Sequence, residues 1–353
     1  MIKGAGMRNQ AVKKLNKERL VRREHPLHEY RKSAEELRYG YEEALEQVSR
    51  EVTSLLNTSP AVIRSYTAHL SASMGKFIRA VSVVASAMDR SGMVCEKAVR
   101  MAAAVEIMHL ATLVHDDVID NSDLRRGQVT LQKKYGKRTA VICGDYLVCA
   151  AMKLAASAWD RTELEDHMKM QMPDYMSRVC LGELNQHINN GNLDMTLRQY
   201  LKIISGKTAA LFEASFFTGA ALAEKDDRLI RKYAKLGHNI GMIFQLTDDC
   251  MDFEETEETA LKPVQSDYEQ NVITLPLIHA LKHLDGFREK ASGQKLEQTE
   301  INAAVFQTGG LDFTRQVARK YYCRSKELIQ SLGASKEKEE KLNQILDRAY
   351  RLI

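Results

Sequence analysis

Two aspartate clusters of the same form stand far apart in the chain. The first is DDVID at residues 116–120 and the second is DDCMD at residues 248–252. On an α-helix, residues four apart project from one side, so the first and last aspartate of each cluster share a face. Carboxylates gathered in this way repel one another unless cations lie between them, and magnesium prefers oxygen ligands that it shares with phosphates. The clusters therefore predict two metal-binding faces that hold one polyphosphate between them.

Basic side chains that suit a phosphate ester lie near the first cluster. Arg125 and Arg126 follow it directly, and adjacent arginines favour bidentate phosphate binding. Lys76 and Arg79 are three residues apart, which predicts that they share one helix face. His109 lies two turns before the first cluster on the same helix. Acidic and basic groups are thus placed to meet at one site.

A second group of polar residues surrounds the later cluster. Lys207 and Thr208 precede it, Gln245 leads directly into it, and Lys262 follows it. Each could serve a substrate that carries phosphate and develops positive charge. The sequence alone does not separate these roles.

The chain resembles the trans-isoprenyl diphosphate synthases. The elements that match run in the family's order over residues 70 to 280, and eight ordered elements are far more specific than one aspartate motif. They are Met74-Gly75-Lys76 to Arg79, Glu106 with His109, residues 113–120, Arg125-Arg126-Gly127, Gly182-Glu183 with Gln186, Gly206-Lys207-Thr208, residues 244–252 and Thr274-Leu275-Pro276.

The composition predicts the fold class. Only 5 prolines and 19 glycines occur in 353 residues, and 44% of the chain is hydrophobic. With abundant Ala, Leu, Glu, Lys, Met and Arg, this favours an all-α protein with a substantial core. We expect a basic N-terminal segment at 1–33 and one helical domain at 34–353, and the resemblance implies a single-domain bundle of about ten or more helices around a central substrate cavity.

The resemblance implies a metal set and two substrate sites. Three Mg²⁺ ions are expected, two bound by Asp116 and Asp120 and a third by Asp248. Asp117, Asp249 and Asp252 are expected to act through water or hydrogen bonds.

The substrates divide the basic residues. Isopentenyl diphosphate is assigned to Lys76, Arg79, His109 and Arg126, and the allylic diphosphate to Arg125, Lys207 and Lys262. Lys207, Thr208 and Gln245 are expected to steady the developing carbocation. The segment 261–267, which contains Lys262, lacks both glycines that the family often has there.

The implied reaction lengthens an allylic diphosphate by one isoprene unit per cycle. The growing tail is expected to run back along the helix of the first cluster, past Ala111 and Thr112 and then Met108. Ala111 and Thr112 are small, so the product should reach six to ten units, with hepta- or octaprenyl favoured, as for a quinone side chain. A geranylgeranyl or farnesyl diphosphate synthase is the alternative.

Three rival functions are considered. A class I terpene cyclase would share the first cluster, but its second metal motif mixes Asn, Ser and Glu. A non-catalytic partner subunit would be expected to lose aspartates or arginines. A di-iron oxidase would use a Glu-x-x-His pair such as Glu106 with His109, but needs that motif twice.

The cellular setting is expected to be the cytoplasm. None of the six cysteines forms a Cys-x-x-Cys pair, and the N-terminus has no apolar signal region. The stretch 101–114 is too short to span a bilayer. Residues 8–32 carry nine Lys or Arg against three Glu, which allows at most peripheral membrane contact but is also typical of a solvated helix face. A homodimer is expected, a second, different subunit is left open, and no nucleic-acid partner is expected.

Overall fold

The computed structural model describes residues 37–72, 74–159, 174–254 and 271–351. The described residues from Arg38 onward belong to one compact unit. Of the preceding unit, Met1–Leu37, the structure describes Leu37, which is exposed. Lys262, the segment 261–267 and the predicted N-terminal segment 1–33 lie outside the described residues. The domain boundary between 33 and 34 therefore stays a prediction.

Helices make up most of the described chain, which confirms the predicted all-α class. They are α1 Tyr41–Asn57, α2 Arg64–Ser71, α3 Ile78–Ala87, α4 Glu96–Ile119, α5 Leu131–Tyr135, α6 Lys137–Ser157, α7 Tyr175–Ile188, α8 Leu197–Ile204, α9 Ala210–Ala223, α10 Asp227–Glu254, α11 Leu275–His283, α12 Phe287–Gly293, α13 Gln298–Thr308, α14 Gly310–Gln330 and α15 Lys336–Tyr350.

Short strands supplement the helices. β1 (Arg38–Tyr39) pairs antiparallel with β2 (Val94–Cys95), and β3 (Leu124–Arg125) pairs antiparallel with β4 (Gln128–Val129). A π-helical turn, Ser205–Ala209, joins α8 to α9.

Two long helices carry the aspartate clusters and cross the core. The alanine-rich first half of α4 is buried, and the helix packs most extensively against α6. α10 packs against both α9 and α14. Each cluster falls in the last turns of its helix, where the helix dipole disfavours negative charge. This placement favours cations at both helix ends.

Glycines allow α10 to approach α9 closely. A Cβ on Gly237 would lie 2.6 Å from the Phe212 carbonyl oxygen, and one on Gly241 would lie 2.5 Å from the Ala209 Cα. Both distances are shorter than any ordinary contact, so neither position accepts a side chain without movement of backbone. The close approach places the π-helical turn beside the second half of α10.

Two described helices, α4 and α6, are long and apolar enough to cross a membrane by length and composition alone. The apolar stretch 101–114 belongs to the 24-residue α4, so its shortness is no longer an argument against spanning. The Asp116 and Asp120 carboxylates of α4 line an internal cavity, however, and much of the helix lies in the core.

Candidate active site

A central cavity of about 2040 Å³ brings both aspartate clusters together with most of the predicted basic residues. The predicted site residues that line it are Lys76, Arg79, His109, Thr112, Asp116, Asp120, Arg125, Arg126, Lys207, Thr208, Gln245 and Asp248. A smaller adjoining pocket is lined by Asp249, Asp120, Lys207, Thr208 and Gln245. Predicted site residues from distant parts of the sequence, between positions 76 and 249, therefore line one cavity and the pocket beside it.

The first cluster is crowded with negative charge. The pKa of Asp116 is raised to about 7, chiefly by burial and also by the Glu183 and Asp120 carboxylates, against the opposing effect of Lys207 and Arg125. Burial also raises the pKa of Asp120. Burial thus disfavours the ionised form of both carboxylates, and the nearby Lys207 and Arg125 do not fully offset it. Hard oxygen donors in this condition suit a divalent cation.

Asp117 serves a different purpose from its two neighbours. It is buried, and the Arg125 Nε atom donates to its Oδ1 atom over 2.7 Å. Arg125 lines the cavity, whereas the Asp117 carboxylate that fixes it is not among the described lining residues. This contact orients one predicted diphosphate ligand.

Lys207 is held between carboxylates. Its Nζ atom lies 2.8 Å from Glu183 Oε2. Burial alone would lower the pKa of Lys207, but Glu183, Asp116 and Asp120 outweigh it and hold the pKa above its ordinary value. Gly182 makes this possible, since a Cβ there would lie 2.1 Å from the Lys207 backbone nitrogen. Helix α7 thus presses directly on the turn that carries the lysine.

A tight hairpin presents the second arginine. Arg126 and Gly127 form the two-residue loop between β3 and β4, with φ values of 52° and 75°. Two positive φ angles are typical of a type I′ turn, whose twist matches the flanking strands. The Arg126 guanidinium then lies against Gly75, where a Cβ would be 2.5 Å from the Nη1 atom. Two motifs that are separated in sequence are in direct contact here.

Arg79 and His109 form a buried pair. The Arg79 Nη1 atom lies 2.8 Å from His109 Nε2. Because a guanidinium can only donate, His109 accepts with Nε2 and carries its proton on Nδ1. Burial, and then Arg79 and Arg126, lower the pKa of His109 well below its ordinary value. His109 is thus a neutral acceptor toward Arg79, and its predicted direct contact with a diphosphate stays a prediction.

Glu106 supports the same corner of the cavity. Its Oε1 atom accepts from the Ala80 backbone nitrogen over 2.9 Å, at the start of α3. The Glu106 and His109 side chains are therefore engaged by α3 and do not form half of a di-iron site. Among residues 37–72, 74–159, 174–254 and 271–351, no three His, Cys, Asp or Glu side chains are grouped so as to hold a metal by themselves.

One detail of the predicted site is wrong. Lys76 and Arg79 do not share a helix face, because α3 begins only at Ile78 and Phe77 before it has a left-handed backbone with φ 51°. Lys76 is exposed on the preceding segment, whereas Arg79 is buried in the first turn. Both side chains nevertheless line the cavity.

The aspartates of the second cluster have different hydrogen-bond partners. Arg351 donates to Asp248 Oδ1 over 2.9 Å. Asp249 is buried and accepts from the Tyr200 hydroxyl and from Gln245 Nε2, the latter over 2.8 Å. Burial raises the pKa of Asp249 to about 7 against the effect of these two donors. Asp252 is also buried.

The residues predicted to control chain length are separated by the fold. Thr112 lines the cavity, and its hydroxyl donates to the His109 backbone oxygen over 2.8 Å. Ala111 is fully buried and Met108 is half-buried, and neither is among the described residues that line the cavity. The control of chain length by these three residues stays a prediction. Thr112 is the best placed of them to contact a growing tail, because it lines the cavity.

Three side chains that contact predicted site residues were not identified in these roles from the sequence. Glu183 was recognised as part of a motif but not as the counter-ion of Lys207. Tyr200 and Arg351 belong to no motif that was recognised, although each contacts the second aspartate cluster. No local pattern marks them, because their partners lie 49 and 103 residues away.

The backbone is unusual around the cavity. Among the described residues, Phe77, Asn121, Arg126, Asn271 and Arg351 are the non-glycine residues with positive φ. Four of these five line the cavity, all but Asn271. Left-handed backbone is unfavourable for a residue with a Cβ, and it is found preferentially at functional sites.

Comparison with known proteins identifies the family. Residues 60–308 match the family profile of polyprenyl synthetase. The chain belongs to the polyprenyl synthetase family. It is therefore a prenyltransferase, as the sequence motifs predicted, and its fold is that of the isoprenoid synthases.

Several proteins similar to this polyprenyl synthetase are named after their products. The chain is 36% identical over 273 residues to heptaprenyl diphosphate synthase component 2 of Geobacillus stearothermophilus, covering 75% of this chain and 82% of the relative. It is 30% identical to octaprenyl diphosphate synthase of Escherichia coli over 77% of this chain and 85% of that protein. It is 33% identical to geranylgeranyl diphosphate synthase of Sulfolobus acidocaldarius over 77% and 84%.

Solved structures agree with this assignment. Heptaprenyl diphosphate synthase from Staphylococcus aureus matches with a TM-score of 0.80 and 30% identity, covering 89% of this chain and 99% of that one. Polyprenyl synthase from Caulobacter crescentus matches with a TM-score of 0.78 and 29% identity, covering 88% and 94%. The latter was solved with calcium and isoprenyl diphosphate.

Proposed function

We propose that this polyprenyl synthetase condenses isopentenyl diphosphate repeatedly onto an allylic diphosphate and makes a product of seven or eight isoprene units. The observation that supports the reaction is the cavity, in which two separate carboxylate clusters face the same set of arginines and lysines. The named products of the similar heptaprenyl and octaprenyl synthases favour this length over geranylgeranyl.

Magnesium fits the carboxylates of both clusters. Asp116 and Asp120 would hold two ions and Asp248 a third, with Asp117, Asp249 and Asp252 in supporting positions. The donors are hard oxygens, and burial raises the pKa of Asp116 and Asp120 in a way that a cation would reverse. Bound there, the ions would neutralise the departing pyrophosphate. Asp248 would exchange Arg351 for the ion.

The protein's own cations complete the two substrate sites. Arg125, fixed by Asp117, and Lys207, fixed by Glu183, bind the allylic diphosphate and favour ionisation of its C–O bond. Lys76, Arg79, His109 and Arg126 bind isopentenyl diphosphate, and His109 also accepts a hydrogen bond from Arg79. Lys262 is proposed to assist with the allylic diphosphate from the segment outside the described residues.

The experiment that tests this function supplies farnesyl diphosphate, labelled isopentenyl diphosphate and Mg²⁺. The products are dephosphorylated and separated by reversed-phase chromatography against prenol standards. We expect a ladder that ends at seven or eight units. A cyclic hydrocarbon would contradict the assignment in favour of a terpene cyclase, and a product that stops at four units would contradict the proposed length.

We further propose a homodimer. Helix α6 exposes Val141, Ile142 and Met152 although it is one of the most apolar helices, and α7 exposes Leu184 and Ile188. Such apolar surface is typical of a protein–protein interface. Light scattering is expected to give twice the 40.0 kDa of the chain. A monomer that retains full activity would contradict the proposal.

A second subunit is tested in the same preparation. The similar Geobacillus protein is named as one component of its synthase, so elongation by the chain alone should be compared with elongation after addition of a lysate from the source cells.

We propose that the enzyme works in the cytoplasm with at most peripheral membrane contact. Recovery of the activity in washed membranes would contradict that location.

A further inference from the structure

A hydrogen-bonded chain of four side chains crosses from the small pocket to the central cavity. The Tyr200 hydroxyl donates to Asp249 Oδ2. Gln245 Nε2 donates to Asp249 Oδ1 over 2.8 Å, and the Thr208 hydroxyl donates to Gln245 Oε1 over 2.7 Å. Tyr200 and Asp249 are buried, whereas Thr208 and Gln245 line the cavity. Tyr200, which is not among the described residues that line the central cavity, is thereby linked to Thr208, which does line it.

The direction of each bond in this chain follows from the first. The Tyr200 hydroxyl donates to one Asp249 oxygen, and the other oxygen accepts from the nitrogen of the Gln245 amide, which therefore faces Asp249. The amide oxygen must then face Thr208, and Thr208 must donate to it. A hydroxyl has one proton, so what Thr208 can present to the cavity is its oxygen lone pairs. Lone pairs attract a developing carbocation.

We propose that Tyr200 is a positioning residue that holds the Asp249 carboxylate against Gln245, and hence that it speeds ionisation of the allylic substrate without touching it. This proposal rests on the proposed function. Without the Tyr200 hydroxyl, the Asp249 carboxylate loses one of its two donors and can turn its Oδ1 atom away from Gln245 Nε2, so that no acceptor holds the Gln245 nitrogen. Gln245 can then rotate its amide and donate to Thr208, whose proton would point into the cavity toward the cation.

The fold holds Tyr200 in place for this purpose. Helix α8 begins with a capping box in which Thr196 and Gln199 bond reciprocally, and Tyr200 is the next residue. The following π-helical turn carries Thr208. Gln245 and Asp249 are four apart on α10, so their side chains meet on one helix face. The network therefore joins three rigid elements.

The test is a double-mutant cycle on the single-turnover rate of the first condensation, measured by rapid quench with farnesyl diphosphate. Tyr200→Phe and Thr208→Val should each slow this step by roughly ten- to a hundredfold, the size expected for a hydrogen bond to a charged group. The double variant should be no slower than Thr208→Val alone, because both act through one hydroxyl. The Michaelis constants of both substrates should stay near those of the wild type.

A matched control separates positioning from general stability. Tyr175 is another buried tyrosine, on α7, whose ring packs against Phe217. Tyr175→Phe should leave the rate unchanged. If Tyr200→Phe does not fold, Asp249→Asn replaces it in the cycle, since an amide cannot accept with both of its atoms from Tyr200 and Gln245.

The outcomes are distinct. A wild-type enzyme that does not elongate farnesyl diphosphate would overturn the proposed function itself. A wild type that elongates, with Tyr200→Phe slowing the step by the same factor in the presence and absence of the Thr208 hydroxyl, would overturn only the role of Tyr200. An unchanged rate in folded Tyr200→Phe would overturn it as well.

Discussion

Replacing Gly75 by alanine is expected to weaken the binding of isopentenyl diphosphate without weakening the fold. The added Cβ would lie 2.5 Å from Arg126 Nη1 and 2.6 Å from Nη2. Ordinary contact begins near 3.4 Å, so the guanidinium must move by about 0.9 Å. Because the obstructed atoms are the far end of a flexible side chain, the hairpin backbone can stay where it is.

The magnitude follows from what the guanidinium does. A hydrogen-bonded contact to a charged group contributes about 1.5–3 kcal/mol, which is roughly a 10- to 100-fold change in binding. The Michaelis constant for isopentenyl diphosphate should therefore rise by up to that factor in Gly75→Ala. A glycine-to-alanine change at an unstrained position stabilises a protein by about 0.4–1 kcal/mol through the unfolded state, so the melting temperature should not fall.

The assay measures initial rates with each substrate varied in turn. The Michaelis constant for the allylic diphosphate should stay constant, because Arg125 and Lys207 are not displaced. Gly40→Ala is the matched control, since a Cβ there meets nothing within 4 Å. An unchanged Michaelis constant for isopentenyl diphosphate, or an equal rise for both substrates, would refute the reasoning about Arg126.

Three further predictions concern the carboxylates and the tail. Asp116→Ala and Asp248→Ala should each reduce turnover on the order of a thousandfold, with an unchanged circular dichroism spectrum, because each removes a ligand of the catalytic cations. Wild-type turnover in either variant, or an equal loss in the control Asp285→Ala, would contradict the metal assignment. In EDTA, urea unfolding should show stability falling as pH rises from about 4 to about 7, because burial raises the pKa of Asp116 to about 7 and the unfolded chain releases this proton first. Asp116→Asn should flatten that slope, and an identical slope would count against the shift. Thr112→Phe should shorten the product to three or four units, and Ala111→Phe should do the same only if the tail runs past its buried position. Chromatography of dephosphorylated products distinguishes them, and a full-length product from both would mean that the tail takes another path.

Sequence patterns predicted the parts of the site that depend on helix geometry. The aspartates lie in the last turns of α4 and α10, and Asp116 and Asp120 both line the cavity because their four-residue spacing matches the helical period. The same argument failed for Lys76 and Arg79, since the left-handed residue Phe77 leaves no mark in a pattern of polar and apolar residues.

Contacts between distant segments were beyond reach for a different reason. Gly75 was recognised as part of a motif, but its purpose is visible only once the hairpin places Arg126 against it. The Tyr200 hydroxyl meets Asp249 across 49 residues of sequence. Long-range partners of this kind are fixed by helix packing, and one sequence carries no record of which pairs touch.

The left-handed residues around the cavity imply that the folded enzyme is less stable than the same fold with a relaxed backbone would be. Each non-glycine residue in this conformation costs on the order of 1–2 kcal/mol relative to a relaxed backbone. Phe77, Asn121, Arg126 and Arg351 all line the cavity, so the cost is concentrated where substrates bind. Glycine at Arg126 would relax the backbone and remove the side chain that the cavity uses. A screen for heat-resistant variants of this chain should therefore recover such a substitution. The variant should have a higher melting temperature and a lower turnover than the parent.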